Sequence, residues 1–384
     1  MVKIALGWRQ LKRQKVRFVV ALTGVGVAAL LILMQLGFRE ALFESSVRYH
    51  SVWRYDIALV NPKTNYIVQS EPFSRRRLYQ ATGVEGVASV IPVYASQGAW
   101  RNPLTNGIRN IYVVGVRASD DVFDLPEVKA LRDRFKLQDV VIYDRRSRVE
   151  FGPIPDLLAE NGMVSTELNN REIHVRGLFE LGTSFGIDGC VITSDVNFLR
   201  LFPDRDAGLI DFGLIRVDPG RDPDVVARDI RELLPGDVLV LTRDEWMERE
   251  RNYWDSSTPI GFVFAFGTLV GFIAGAIIVY QILFADVNDH LPEYATLKAM
   301  GYSNAYLSRV VLEQALVLAA LGYVPGLLTS FWLYQRTSEA TLLPLTMSLE
   351  RAILVLGLVF LMCVLSALAA LRKVRSADPA DVFG

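Results

Sequence analysis

The chain has 384 residues, 51% hydrophobic and 22% charged, with a formal net charge of −1. A mean hydropathy of +0.26 is too apolar for an average soluble protein and too polar for a bundle that is membrane throughout, so apolar spans and a polar domain are expected to share the chain. Near-neutral charge gives no pull toward nucleic acid, and Cys190 and Cys363, one in the polar middle and one in an apolar run, make no disulfide framework.

Residues 1–17 carry Lys3, Arg9, Lys12, Arg13, Lys15 and Arg17 around a face of Ile4, Trp8 and Leu11. They read equally as a helix lying along the inner leaflet and as a basic flank with no fixed structure. The first apolar run spans about 18–37. It is longer than the roughly 7–15 residues of a signal core, and no A-x-A site follows it, so a retained membrane helix is expected.

Residues 38–259 form a polar stretch long enough to bury its own core. It reads as mixed α/β, with short apolar runs at Asp56–Val60, Val90–Tyr94, Ile111–Val116, Val140–Tyr143, Cys190–Thr193, Leu214–Val217 and Val238–Leu241. Helices are expected at Glu71–Thr82 and at Asp222–Leu234, the second opened by Asp222-Pro223 and closed by Pro235-Gly236. Two lobes are expected: a root lobe from about 45–118 and 205–250, and an inserted lobe from about 119–204. The charged segments Arg39–His50 and Thr242–Asp255 read as stalks toward the flanking spans.

Three more apolar runs follow, at 260–284, 310–334 and 352–371. Each matches the roughly 20 residues a bilayer core requires. Gly267, Gly271 and Gly275 recur every four residues on one face of the second run, a spacing that lets helix backbones approach closely and suits helix packing or a dimer contact. Gly24 and Ala28 offer a weaker version in the first run, and Pro325-Gly326 is expected to bend or break the third. The loop 285–309 contains Leu291–Ser303, where Pro292 can start a short helix, Gly301 can end it and Ser303 can cap the next. Tyr294, Leu297 and Met300 would form its exposed apolar face, a docking surface for a soluble partner. Lysines and arginines before the first run, and Arg372, Lys373 and Arg375 after the fourth, put both termini on the cytoplasmic side. On that reading 38–259 and 335–351 lie outside, and 285–309 and the tail 372–384 lie inside.

Nothing in the chain matches G-x-x-x-x-G-K-[ST], H-E-x-x-H or C-x-x-C. No catalytic, cofactor-binding or metal-ligating set is therefore expected. His50, His174 and His290 read as ordinary surface residues, and Asp120-Asp121, Asp286 and Asp289 as turns or solvated helix faces. Arg75-Arg76-Arg77 and Arg145-Arg146 read as solvated surface that could meet acidic head groups. Glu313 and Gln314 sit near one end of the third run and can reach the interface.

The segment Glu293–Tyr302 resembles the coupling-helix signature of the FtsX-like permease superfamily of ABC transporters, which includes MacB and the LolC/LolE proteins. The tail Asp378–Phe383 is similar to that superfamily's Pro-Ala-acid-apolar terminus. A closer similarity, to the DevC subfamily of cyanobacteria, rests on Leu6–Leu11, Gln14–Arg17, Met34–Phe38, Ala41–Phe43, Tyr294–Tyr302 and Leu321–Gly326. The resemblance implies four transmembrane α-helices with a large, two-lobed, MacB-like periplasmic domain between the first two. It implies that Glu293, Tyr294, Thr296, Leu297, Lys298, Met300 and Gly301 couple to a separate DevA-like ABC ATPase, which would hold the ATP and magnesium. It further implies a homodimer in the inner membrane, a DevB-like periplasmic adaptor, a TolC-like outer-membrane channel, and export of a lipid-like substrate such as a glycolipid. An FtsX-like subunit that signals to a periplasmic partner is the alternative. The longer outer domain favours the pump.

Overall fold

A computed structural model describes residues 15–184 and 186–375. The expected amphipathic segment, as far as residue 14, and the tail motif at 378–383 lie outside the described residues. The chain forms two compact units: Leu42–Thr258, and the long helices on either side of it in sequence.

Among the described residues four helices are long and apolar enough to cross a membrane. They run over Lys15–Ser46, Pro259–Asp289, Asn304–Thr341 and Leu349–Arg375. Every one extends past the apolar run within it, because the polar flanks continue the helix as it leaves the apolar layer. The third is not broken at Pro325. Thr329 and Ser330 hydroxyls donate to the carbonyls of Pro325 and Gly326, both at 2.8 Å, adding side-chain bonds to a backbone interrupted by proline. Pro325-Gly326 instead marks a crossing point. A Cβ on Gly326 would fall 2.5 Å from the Gly26 carbonyl oxygen, so the first and third helices pass backbone against backbone there.

The inserted unit is built on one nine-stranded mixed sheet. Its strands are β1 (Ile57–Val60), β3 (Val87–Arg101), β4 (Ile108–Val116), β5 (Val140–Asp144), β6 (Val164–Leu168), β7 (Arg171–Phe179), β8 (Cys190–Ser194), β10 (Phe212–Val217) and β11 (Leu239–Thr242), in the order β11-β1-β10-β3-β4-β8-β5-β7-β6. A separate two-stranded ribbon pairs β2 (Phe73–Ser74) with β9 (Leu209–Ile210). The segments expected to form a root lobe supply β11-β1-β10-β3-β4, and those of the expected insertion supply β8-β5-β7-β6. The two halves join through the parallel pairing of Tyr112–Val116 with Cys190–Ser194, and through a single β3–β6 contact, Trp100 with Leu168.

Both faces of this sheet are covered. Tyr94, Trp100, Ile111, Val113 and Val191 point into one core, closed by the helix Pro223–Leu233 through Val226, Ala227 and Ile230. Their neighbours Val93, Ala95, Tyr112, Val114 and Ile192 point into a second core with Tyr49, Trp53 and Trp246. Successive side chains of a strand face opposite ways, so strands buried on both faces read as unbroken apolar runs. Ile57–Val60, Ile111–Val116, Val140–Tyr143 and Cys190–Thr193 are of this kind. The β6–β7 hairpin escapes a search for such runs because it alternates: Ile173 and Val175 are buried between the polar, more exposed Glu172, His174 and Arg176. Its turn, Asn169-Asn170, holds φ of +52° and +59°, which asparagine tolerates.

Candidate functional site

The short helix Leu291–Ala299 follows the second long helix directly. Pro292 lies in its first turn, where a missing N–H costs nothing. Its end is a Schellman closure: Gly301, at φ +91°, donates from N to Lys298 O at 2.9 Å, and Tyr302 N donates to Leu297 O at 3.0 Å. Ser303 Oγ then accepts from Tyr306 N at 3.3 Å and opens the third long helix. Start, stop and restart are thus fixed within 14 residues, Leu291 to Asn304.

The short helix turns its apolar side inward, unlike the exposed face expected from sequence. Tyr294 is 1% exposed and Ala295 is buried, while Leu297 packs against the core of the long helices. A helix this short has little stability of its own and gains it by burying its apolar side. Its outer side presents Glu293 and Thr296, followed by Met300 at 68% exposure and Tyr302 at 44%. Lys298 is half-buried.

Polar groups brace this end of the helix bundle. Gln314, 0% exposed, donates from Nε2 to Asp286 Oδ2 at 2.9 Å. His290 Nδ1 lies 2.9 Å from the Asp286 carbonyl and 3.5 Å from its carboxylate, and Arg17 pairs with Asp289. The second and third long helices, the start of the short helix and the start of the first long helix are therefore tied at one level. The expectations of a solvated Asp286, a surface His290 and an interfacial Gln314 are corrected accordingly. Near the other end of the third helix stands a second brace that the sequence reading did not find. Arg351, 6% exposed, pairs with Glu40 and donates to Thr346 O at 2.8 Å and to the Tyr334 hydroxyl at 3.2 Å. Tyr334 in turn donates to Leu33 O. The available signal was an arginine placed immediately before an apolar run.

Gly267, Gly271 and Gly275 face the chain's own helices. A Cβ on Gly267 would fall 2.7 Å from the Gln35 side chain, one on Gly271 3.5 Å from Ile32, and one on Gly275 2.4 Å from Met362 Sδ and 2.5 Å from Ala28 Cβ. Gly271 and Gly275 are buried, so at these two positions the first and fourth helices occupy the surface that a second copy would need.

The inserted unit has a polar cluster of its own. His50 is fully buried, with Nδ1 2.8 Å from the Tyr55 hydroxyl and Nε2 2.8 Å from Glu250 Oε2. Ile67 N donates to the other Glu250 oxygen at 3.3 Å, and the Trp246 ring lies 4.4 Å from the imidazole. Segment 242–255, expected to be a charged stalk, thus carries a helix, Arg243–Asn252, that is docked into the domain by Trp246 and Glu250. His174 stays at the surface beside Ser165. Among the described residues no three His, Cys, Asp or Glu side chains converge as metal ligands would.

Residues 261–379 match the family model of the FtsX-like permease C-terminal domain. The match takes in the last three long helices and the short helix between the second and third. Together with the four membrane-length helices, this match marks the chain as a multi-pass membrane protein. Among solved structures it is similar to the periplasmic region of MacB from Actinobacillus actinomycetemcomitans, at 13% identity and a TM-score of 0.36, over 52% of this chain and 92% of that one. It is also similar to the extracellular domain of the noncanonic ABC-type transporter YknZ from Gram-positive bacteria, at 12% identity and a TM-score of 0.35, over 48% and 98%. No curated protein matches the chain in sequence.

Proposed function

We propose that this chain is the membrane subunit of an ABC transporter of the FtsX/MacB-like superfamily, passing the motion of a separate ATPase to its inserted domain. The observation that carries the reading is the braced short helix inside the matched permease segment, presenting Met300 and Tyr302 to solvent. A rigid projection with a small apolar tip can receive force, and its ties to the first, second and third long helices can pass that force on. Among the described residues the long helices show no continuous polar path: their buried Asp286, Gln314 and Arg351 lie toward helix ends, and the Ser330 and Ser366 hydroxyls are bonded to backbone carbonyls. They therefore transmit and do not conduct.

In the full assembly two copies sit on two ATPase subunits, which hold the ATP and magnesium. Both termini face the cytoplasm, and 42–258 lies in the periplasm. The copies pair through exposed apolar helix faces, because the chain's own helices cover Gly271 and Gly275. A DevB-like adaptor and a TolC-like channel complete a DevC-type efflux pump for a lipid-like cargo, with glycolipid the first candidate. Met300→Asp tests the coupling step. Met300 is exposed, so the variant inserts and folds, and co-purification of the ATPase is expected to be lost. Undiminished co-purification would remove the coupling role of this helix.

A further inference from the structure

We propose that a cleft on the inserted unit, between the helix Arg75–Gln80 and the turn Asp206–Leu209, binds a phosphate group. The cleft has a volume of about 600 Å³ and is lined by Ser74, Arg75, Arg76, Tyr79, Asp206 and Leu209, among others. That lies within the range of about 300–1,000 Å³ typical of small-molecule sites.

Its walls are held in place. The β2–β9 ribbon pairs Phe73 with Ile210 and Ser74 with Leu209, and Arg75 N donates to Gly208 O at 2.8 Å. The two sides cannot part without breaking these bonds, so the site is formed before a ligand arrives. Arg75 also lies over the Tyr79 ring, 6.0 Å from its centroid.

The charge balance points to an anion. Nearby arginines are neutralised: Arg77 by Asp237, Arg117 by Asp120 and Arg205 by Asp211. Among the described residues no carboxylate stands within ion-pair distance of Arg75 or Arg76. Asp206, the one acid in the cleft, accepts at Oδ1 from Gly208 N at 2.7 Å. Two guanidinium groups against one committed carboxylate leave a net charge of +1. Two arginines lining one cleft suit the tetrahedral oxygens of a phosphate through forked, charge-assisted bonds. Tyr79 and Leu209, both exposed, give that phosphate an apolar shelf to lie against. Free phosphate and the phosphate of a lipid head group share this chemistry. The inference stands on the geometry of this unit alone and holds or fails independently of the permease reading.

The test uses the full chain in detergent. Calorimetry measures binding of inorganic phosphate and, separately, of dihexanoyl phosphatidylglycerol below its micelle concentration. Saturable binding of at least one is expected, weakening as salt rises. Arg75→Gln/Arg76→Gln should weaken it about tenfold or more, as should Arg76→Glu at the more exposed position, whereas Arg145→Gln on another surface should not change it. Binding of the lipid alone assigns a head group, and binding of both at similar strength assigns the phosphate itself. Absence of saturable binding, or equal affinity in the double variant, would overturn the proposal.

Discussion

Asp139 sits at φ +55° and accepts from Arg171 Nε at 2.7 Å, with Arg200 pairing to its second oxygen at 3.2 Å. The hydrogen bond from Arg171 holds its carboxyl below the ordinary range, against a smaller opposing effect of burial. An acid whose value is lowered by folding stabilises the fold above the unfolded value, and that contribution is lost as pH falls through the lowered one. Asp139→Asn keeps a residue that tolerates the left-handed backbone and removes the charge. It should cost about 1 kcal/mol or less near neutrality, because the site is partly solvated. Thermal unfolding of the purified chain should show the gap from wild type closing as the solution is acidified into and below the carboxylate range; a gap independent of pH would contradict the assignment. Asp144 and Asp211 behave oppositely. Burial pushes both upward, although backbone N–H groups bond to each and Arg205 pairs with Asp211. None of this could be read from the sequence, where Asp139, Asp144 and His50 look like any polar residues. Their environments come from strands and helices distant in the chain.

The elements themselves were more legible. Pro292, Gly301 and Ser303 delimit the short helix through local backbone chemistry, which is why its bounds could be read directly. Which way its apolar side turns could not, because a partner and the bundle offer the same apolar contact and only packing decides between them. The strands buried on both faces announced themselves as apolar runs, whereas the β6–β7 hairpin needed its alternation and its Asn-Asn turn to be noticed. The glycine row was visible as spacing, but its neighbours were not. Gly275→Leu is expected to drive a side chain into Met362 and Ala28 and to cost about 1–3 kcal/mol of bundle stability. Gly357, in the fourth helix, has no neighbouring group within 4 Å of the point a Cβ would occupy, so Gly357→Ala should be neutral or slightly stabilising. Melting temperatures of the two variants in detergent make the comparison. Equal melting would show that the row is not packed as described.

At the scale of the whole molecule, the four long helices were the plainest message in the sequence, because runs of about 20 residues with almost no charge have few other uses. The braces that organise them were the least plain. Asp286 with Gln314, Arg17 with Asp289, and Arg351 with Glu40 each join residues far apart in the chain. The first two fix the end of the bundle that carries the short helix, which the proposed function makes the input of the bundle. Its sidedness and its partner can be read in one measurement. Cys190 and Cys363 are buried, so a cysteine at Met300 would stand out against a quiet background. Met300→Cys is labelled with a membrane-impermeant thiol reagent in inside-out vesicles, with and without the ATPase subunit, and in right-side-out vesicles. Coupling through this helix predicts labelling only in inside-out vesicles, and protection when the ATPase is present. Labelling from the opposite side, or labelling that the ATPase leaves unchanged, would contradict it.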